Sequence, residues 1–111
     1  MINIIPIYKI ISYNKHFSNG VLLRPLESIY STYTYYNSHA EQITSIVCNF
    51  VRGHYFIDGN KRTSCIILSI LSDFNNLKLR PTNDNLDEFI VSLITNKLSI
   101  HEHTAKLFNY S

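Results

Sequence analysis

Two stretches of helical period, residues 38–53 and 60–74, stand at the centre of the chain with only residues 54–59 between them. Ser38 followed by Glu41 is a capping box. Ile43, Ile46, Val47, Phe50 and Val51 then recur at helical spacing, and Gly53 is a natural stop. The second stretch begins at Asn60 and runs to Phe74. Its Ile66, Ile67, Leu68, Ile70 and Leu71 leave almost no polar face, which predicts a central, buried helix. Asn75 and Asn76 end it. After a loop at residues 80–85, Asn85 with Glu88 reads as another capping box, ahead of a stripe of Leu86, Phe89, Ile90, Leu93 and Ile94. Ser99 with Glu102 repeats the device ahead of Leu107 and Phe108. The C-terminal half is thus expected to be four helices with short connections.

The N-terminal third is less periodic. Residues 7–14 read as a short helix opened by Pro6, and another short helix starts at Pro25. The run "TYTYYN" that follows favours extended structure, but no second strand pairs with it obviously. The expected fold class is therefore all-α, with at most a short β-hairpin or edge strand before the central helix.

The 111 residues suit a single domain spanning 1–111. Hydrophobic residues make up 45% and charged residues 16%, a globular balance in which nearly every apolar position is needed for the core. A net charge of +2 with no clustered basic face argues against nucleic acid. The start "MINIIPIYKI" has no basic lead and is broken by Pro6, and no apolar run is long enough to span a bilayer. A cytoplasmic protein is expected. Cys48 and Cys65 fall inside apolar helical patterns without metal spacing, so both are expected as buried, reduced thiols.

The chemistry gathers in "HYFIDGNKRT", residues 54–63. The free N–H groups and dipole of the helix that starts at Asn60 point into this loop, which makes an anion site. Gly59 allows a tight turn there. Lys61 and Arg62 put two cations at the same helix end, where they are locally unfavourable unless an anion meets them. The arrangement asks for a phosphate. Asp58 offers a hard oxygen ligand beside it, of the kind Mg²⁺ takes. His54, four residues earlier, has the near-neutral pKa of a general base for a hydroxyl nucleophile. Together these are the parts of a phosphoryl- or nucleotidyl-transfer site. A polar turn with solvated side chains is the plainer reading of any one of these residues taken alone.

The ordered set resembles the Fic/Doc signature, H-x-F-x-(D/E)-G-N-x-R, and is most similar to the Doc (death-on-curing) toxin branch, where Lys-Arg-Thr follows the Asn. "NGVLLRPLESIYS" upstream is similar to the G-x-x-R-x-x-x-L-E-S stretch of these proteins, so the likeness spans roughly residues 18–110. The resemblance implies a compact helical Fic/Doc domain that uses ATP and Mg²⁺. It implies that His54 is the base that deprotonates a target hydroxyl. Phe56 would anchor the loop, Asp58 would hold Mg²⁺, Gly59 and Asn60 would cradle phosphate, and Arg62 would neutralise it. Nucleotidyl-transferring Fic enzymes have Gly where this chain has Lys61, and usually a second Arg where it has Cys65. Doc proteins share the Lys and are similar to kinases that present the γ-phosphate. The favoured expectation is a toxin that phosphorylates a Ser or Thr of a target protein, elongation factor Tu being a plausible one, and arrests translation. The inhibitory (S/T)-x-x-x-E-(G/N) motif of many Fic proteins is not found in the sequence, so inhibition is expected from a separate Phd-like antitoxin. Family members dock the target on a flap near the Tyr-rich run, which would give Tyr33, Tyr35 and Tyr36 that role; core and surface tyrosines are the even alternative.

Three rival readings remain. One is a nucleotidyl transferase that attaches AMP to a protein hydroxyl. Another is an inactive Fic-fold binding module, against which the intact His54, Asp58, Asn60 and Arg62 argue. The last is a helix-turn-helix DNA binder with Arg52, Lys61 and Arg62 on phosphate, which the apolar second helix opposes. His101 and His103, flanking Glu102, are expected on the solvated surface.

Overall fold

The apolar periods place five helices: α1 (Ile7–Lys15), α2 (His39–Gly53), α3 (Asn60–Phe74), α4 (Leu86–Thr95) and α5 (Ile100–Leu107). The computed structural model describes residues 2–80 and 85–108. Two short 3₁₀ helices, Leu26–Tyr30 and Tyr33–Tyr35, lie between α1 and α2. There is no sheet among the described residues, only two isolated antiparallel bridges, Leu22 with Phe56 and Leu79 with Phe108. The all-α expectation stands.

The helix caps follow the side chains available. Ser99 and Glu102 form a complete capping box on α5. At α2 the box is half made: Ser38 Oγ accepts from the Glu41 N–H at 3.1 Å and donates to the Glu41 carboxylate at 2.9 Å. At α4 the expected box does not form, because Asn85, at φ −103° and ψ −4°, makes no side-chain cap bond. Residues 81–84 of the anticipated loop lie outside the described residues. Asn75 closes α3 as expected, and its amide also ties down the N-terminal segment. The Asn3 N–H donates to its Oδ1 at 2.8 Å, and its Nδ2 donates to the Asn3 carbonyl at 3.1 Å.

The central helix is α2 and not α3. α2 buries Ile43, Ile46, Val47, Cys48 and Phe50, together with the polar Gln42, Thr44 and Ser45, so it is enclosed all round. It packs against α3, α4, α5 and both 3₁₀ helices. α3 has neighbours in α1, α2 and α4 but keeps an outward side, where Ile66 and Ile70 are half-buried, and it buries Thr63, Ser64 and Ser72 instead. Hydrophobic content alone misplaces the two helices. Thr44 shows why: its hydroxyl donates to the Ala40 carbonyl and accepts from Thr104 of α5 at 2.9 Å, so the polar group costs little when buried.

"TYTYYN" is also not extended. Tyr33–Tyr35 form a 3₁₀ turn laid along α2, held where Asn49 Nδ2 donates to the Ile29 carbonyl and Thr32 Oγ1 and where Gln42 Nε2 donates to the Tyr36 carbonyl. The Thr32 and Tyr33 carbonyls accept from the Tyr35 and Tyr36 N–H groups and the Tyr36 carbonyl accepts from Gln42, so the segment has no need of a partner strand.

His103 corrects a further expectation. It is 1% exposed, packed between α2 and α4. Arg52 donates through Nε to the Leu93 carbonyl at 2.8 Å and through a terminal nitrogen to His103 Nε2 at 3.3 Å. Arginine has only donors, so Nε2 is the bare nitrogen and Nδ1 carries the proton toward the Asn96 backbone. Burial, and then the Arg52 charge, hold the His103 pKa below its ordinary value. The unfolded chain therefore binds the proton first as pH falls below about 6.5. Stability measured by denaturant melts should decline through that window, and His103→Gln should flatten that part of the profile.

Candidate functional site

α2 ends on His54, which sits in the left-handed region at φ 49° and ψ 63°. Glycine usually fills such a position, and a side chain there costs about 1 kcal/mol. This left-handed residue is where the chain leaves α2 and the loop begins. Gly53, expected to stop the helix, instead occupies its last turn for a packing reason: a Cβ there would run into the Tyr55 ring. Tyr55 stacks on Phe50 at 5.9 Å between centroids, and Phe56 is fully buried against the same ring at 6.0 Å. Arg24 holds this corner from outside, donating to the Gly53 carbonyl at 2.9 Å and lying 5.0 Å over the Tyr55 ring.

The loop is then tied by its backbone. The Leu23 N–H donates to the Tyr55 carbonyl at 2.7 Å, and the Ile57 N–H donates to the Val21 carbonyl at 3.1 Å. The extended segment beside the site is thus residues 21–23, not the Tyr-rich run. Asn60, at the first position of α3, closes its side-chain amide on Phe56: Oδ1 accepts from the Phe56 N–H at 3.0 Å and Nδ2 donates to the Phe56 carbonyl at 2.8 Å. The same Nδ2 lies 3.5 Å from His54 Nδ1, a long contact that leaves the ring free to turn. The Asn60 amide is therefore committed to the loop, and any phosphate contact at that position falls to its backbone N–H.

These constraints open a pocket of about 530 Å³. His54, Asp58, Gly59, Asn60, Lys61 and Arg62 line one side of it, and Val91 and Ile94 of α4 line the other. Six of the predicted site residues are brought together here. Phe56 lies beneath as the anchor. Tyr33, Tyr35 and Tyr36 are not among the lining residues; Tyr36 is bonded to Gln42, about 18 Å along α2 from His54 at 1.5 Å per residue.

The electrostatics suit an anion. α3 has no side-chain cap at its N-terminus and no acidic residue in its first turn. Gly59 precedes it at φ 76°, a conformation that favours glycine. Among the described residues, no hydrogen bond or ion pair engages the Asp58 carboxylate or the Lys61 ammonium, and both side chains are exposed at the pocket. Arg62 lies 5.8 Å over the Phe17 ring, which steadies its charge at the rim. Arg52, which a DNA-binding reading would place on phosphate, is occupied by Leu93 and His103.

Cys65 is not at the pocket. Its thiol donates to the Asp87 carboxylate of α4 at 3.3 Å, and burial followed by Asp87 pushes its pKa up to about 12. Burial likewise raises Cys48 to about 11. Both are thiols at neutral pH and poor nucleophiles.

The sequence reading missed Asn14. This α1 residue is fully buried, and its amide reaches the Asp58 carbonyl, the Thr63 hydroxyl and the Gly20 N–H. Its only signal in the sequence is an amide next to the last residue of a helix whose apolar stripe carries the pattern.

The Fic/DOC family model matches residues 13–72, just over half of the chain and the part that contains the whole pocket loop. The chain belongs to the Fic/DOC family. Members of this family transfer phosphate or nucleotide to protein hydroxyls, in general from ATP with Mg²⁺. Comparison with curated proteins gives no match. No described helix is long and apolar enough to cross a membrane.

Gly53→Ala should force the Tyr55 ring off Phe50 and cost about 1–3 kcal/mol of stability, as overpacking does. Urea melts measure the loss, and an unchanged midpoint would show that the Tyr55 corner does not need glycine.

Proposed function

We propose that the protein is a Doc-type phosphotransferase that moves the γ-phosphate of ATP to a Ser or Thr hydroxyl of a target protein. The observation that carries this reading is Lys61, free and exposed beside an uncapped helix N-terminus, where nucleotidyl-transferring relatives are expected to have a bare Gly. A compact ammonium at that point favours a terminal phosphate and obstructs a nucleotide lying the other way.

The residues divide the work by position. His54 Nε2 or Nδ1 takes the proton as the target oxygen attacks the γ-phosphorus. The new O–P bond forms, the bond from γ-phosphorus to the β–γ bridging oxygen breaks, and ADP leaves with that electron pair. The first-turn N–H groups of α3, with Lys61 and Arg62, meet the charge on the phosphate oxygens. Asp58 fits Mg²⁺: one free carboxylate, completed by phosphate oxygens and water, is the donor set that ion takes. No group of three or more His, Cys, Asp or Glu that would hold a metal by itself exists among the described residues, so the ion would arrive with the nucleotide. When bound it neutralises phosphate charge.

The acceptor segment would add alongside residues 21–23, where Val21 and Leu23 are exposed next to the loop. By the family resemblance, elongation factor Tu is a candidate target, with arrested translation as the outcome, and a Phd-like antitoxin would supply the inhibition in trans. The cytoplasm is the compartment that such a target requires.

The test supplies ATP labelled at the α- or the γ-phosphate, with Mg²⁺ and a cell lysate. Only the γ-label should reach protein, and His54→Ala should reduce it by about 10²–10⁴-fold, the usual worth of a general base. Transfer of the α-label would establish nucleotidyl transfer instead.

A further inference from the structure

We propose that Asn14 is a positioning residue that aims the Asp58–Gly59 peptide at the bound phosphate; this rests on the reading of the pocket as a phosphate site. Asn14 comes from α1, far from the signature in sequence, yet it is 0% exposed and lies directly under the Gly59 turn. Its Nδ2 donates to the Asp58 carbonyl at 2.9 Å and to Thr63 Oγ1 at 3.2 Å, and its Oδ1 accepts from the Gly20 N–H at 3.0 Å. Three of the four hydrogen bonds an amide can make are used. They bracket the turn from both sides, since Asp58 precedes Gly59 and Thr63 closes the first helical bond back to the Gly59 carbonyl at 2.9 Å.

The consequence follows from peptide geometry. No peptide bond among the described residues is cis. In a trans peptide the C=O and the next N–H point in opposite directions. Because Asn14 draws the Asp58 carbonyl inward, the Gly59 N–H is turned away from the core. Gly59 lines the pocket, so that N–H joins the free first-turn N–H groups of α3. The peptide is otherwise poorly determined, because glycine at φ 76° tolerates several orientations. Packing adds to the constraint: a Cβ on Gly59 would sit only 3.1 Å from Asn14 Nδ2. The bond to Gly20 extends the same control to the turn that leads into residues 21–23, so one buried amide sets the phosphate loop and the neighbouring edge in register.

The probe is inorganic tripolyphosphate, titrated into ¹⁵N-labelled full-length protein. In the wild type the Gly59 amide resonance should move with those of Asn60, Lys61 and Arg62. Asn14→Asp keeps the acceptor for Gly20 and loses both donors; Asn14→Ser loses the reach to all three. Both should bind tripolyphosphate about tenfold more weakly, the worth of one or two hydrogen bonds that hold a donor to a charged group, with the Gly59 amide no longer responding. Asn14→Asp should still protect the Gly20 amide from exchange. Thr104→Val, which removes a buried hydroxyl pair elsewhere in the core, is the control for stability alone and should bind as the wild type does. If folded Asn14 variants bind as tightly as the wild type with the Gly59 shift intact, Asn14 is only a structural residue and the proposal is overturned. If Thr104→Val loses as much binding, the effect is general destabilisation and the proposal is likewise overturned. A wild type that ignores tripolyphosphate overturns the phosphate reading itself, and this inference with it.

Discussion

The pair of hydrogen bonds between the Asn60 side chain and the backbone of Phe56 is the constraint on which the site depends. A buried amide that satisfies one N–H and one C=O at once does for six loop residues what a strand partner does in a sheet. Each bond contributes only about 1 kcal/mol net, but leaving either backbone group buried and unpaired costs more than that. The Phe56 ring can therefore enter the core without leaving its backbone unsatisfied. Once Phe56 is seated, His54 and Asp58 are placed on the two sides of a fixed point. The bridge to Leu22 and the stack of Tyr55 on Phe50 secure the same loop from other directions.

With the loop fixed, the electrostatics are built in before any ligand arrives. α3 begins without a cap, without an acidic first-turn residue, and with two cations at the end of the dipole that least favours them. Such an end is costly to the folded chain. Three other helices offset it: Ser99 and Glu102 cap α5 completely, Ser38 caps α2, and Asp87 and Glu88 stand in the first turn of α4, while α1 has neither a side-chain cap nor an acidic first turn. What sets the α3 terminus apart is that its uncapped end also carries Lys61 and Arg62 and opens into the pocket, which is the arrangement the proposed phosphate site would use. Arg62 over Phe17 and the open face of Lys61 keep the charge available at the pocket.

Much of this was legible in the sequence because it depends on local pattern. The helices at residues 38–53 and 60–74, the stop at Asn75 and the box at Ser99 rest on periods and caps that neighbouring residues specify. The pocket loop was legible because its residues are consecutive. What failed depends on tertiary partners. α3 reads as more apolar than α2, yet α2 is the enclosed helix, and its buried Thr44 is tolerated because the hydroxyl donates to the Ala40 carbonyl and accepts from Thr104, sixty residues along the chain. The Tyr-rich run reads as extended, but Gln42 donates to its Tyr36 carbonyl and Asn49 to its Thr32 hydroxyl. His103 reads as surface until Arg52 is seen to take its bare nitrogen. Asn14 was invisible for the same reason: two of its three partners lie forty-four and forty-nine positions away.

The two departures from nucleotidyl-transferring relatives, Lys61 and Cys65, are four residues apart and so occupy one face of α3. That face looks toward α4. At its lower end Lys61 reaches the pocket, and one turn up the Cys65 thiol is bonded to Asp87. An arginine at the upper position would bring a cation to the same wall, beside Asp87, and would compete with Lys61 for the outer phosphates. With Cys65 there instead, α3 meets α4 through the contact of the thiol with the Asp87 carboxylate. The pocket is left with its free cations at the mouth of the helix and apolar Val91 and Ile94 opposite. On the proposed phosphotransferase reading, this one helix face would decide which end of a triphosphate is drawn toward His54, and both substitutions would favour the terminal phosphate.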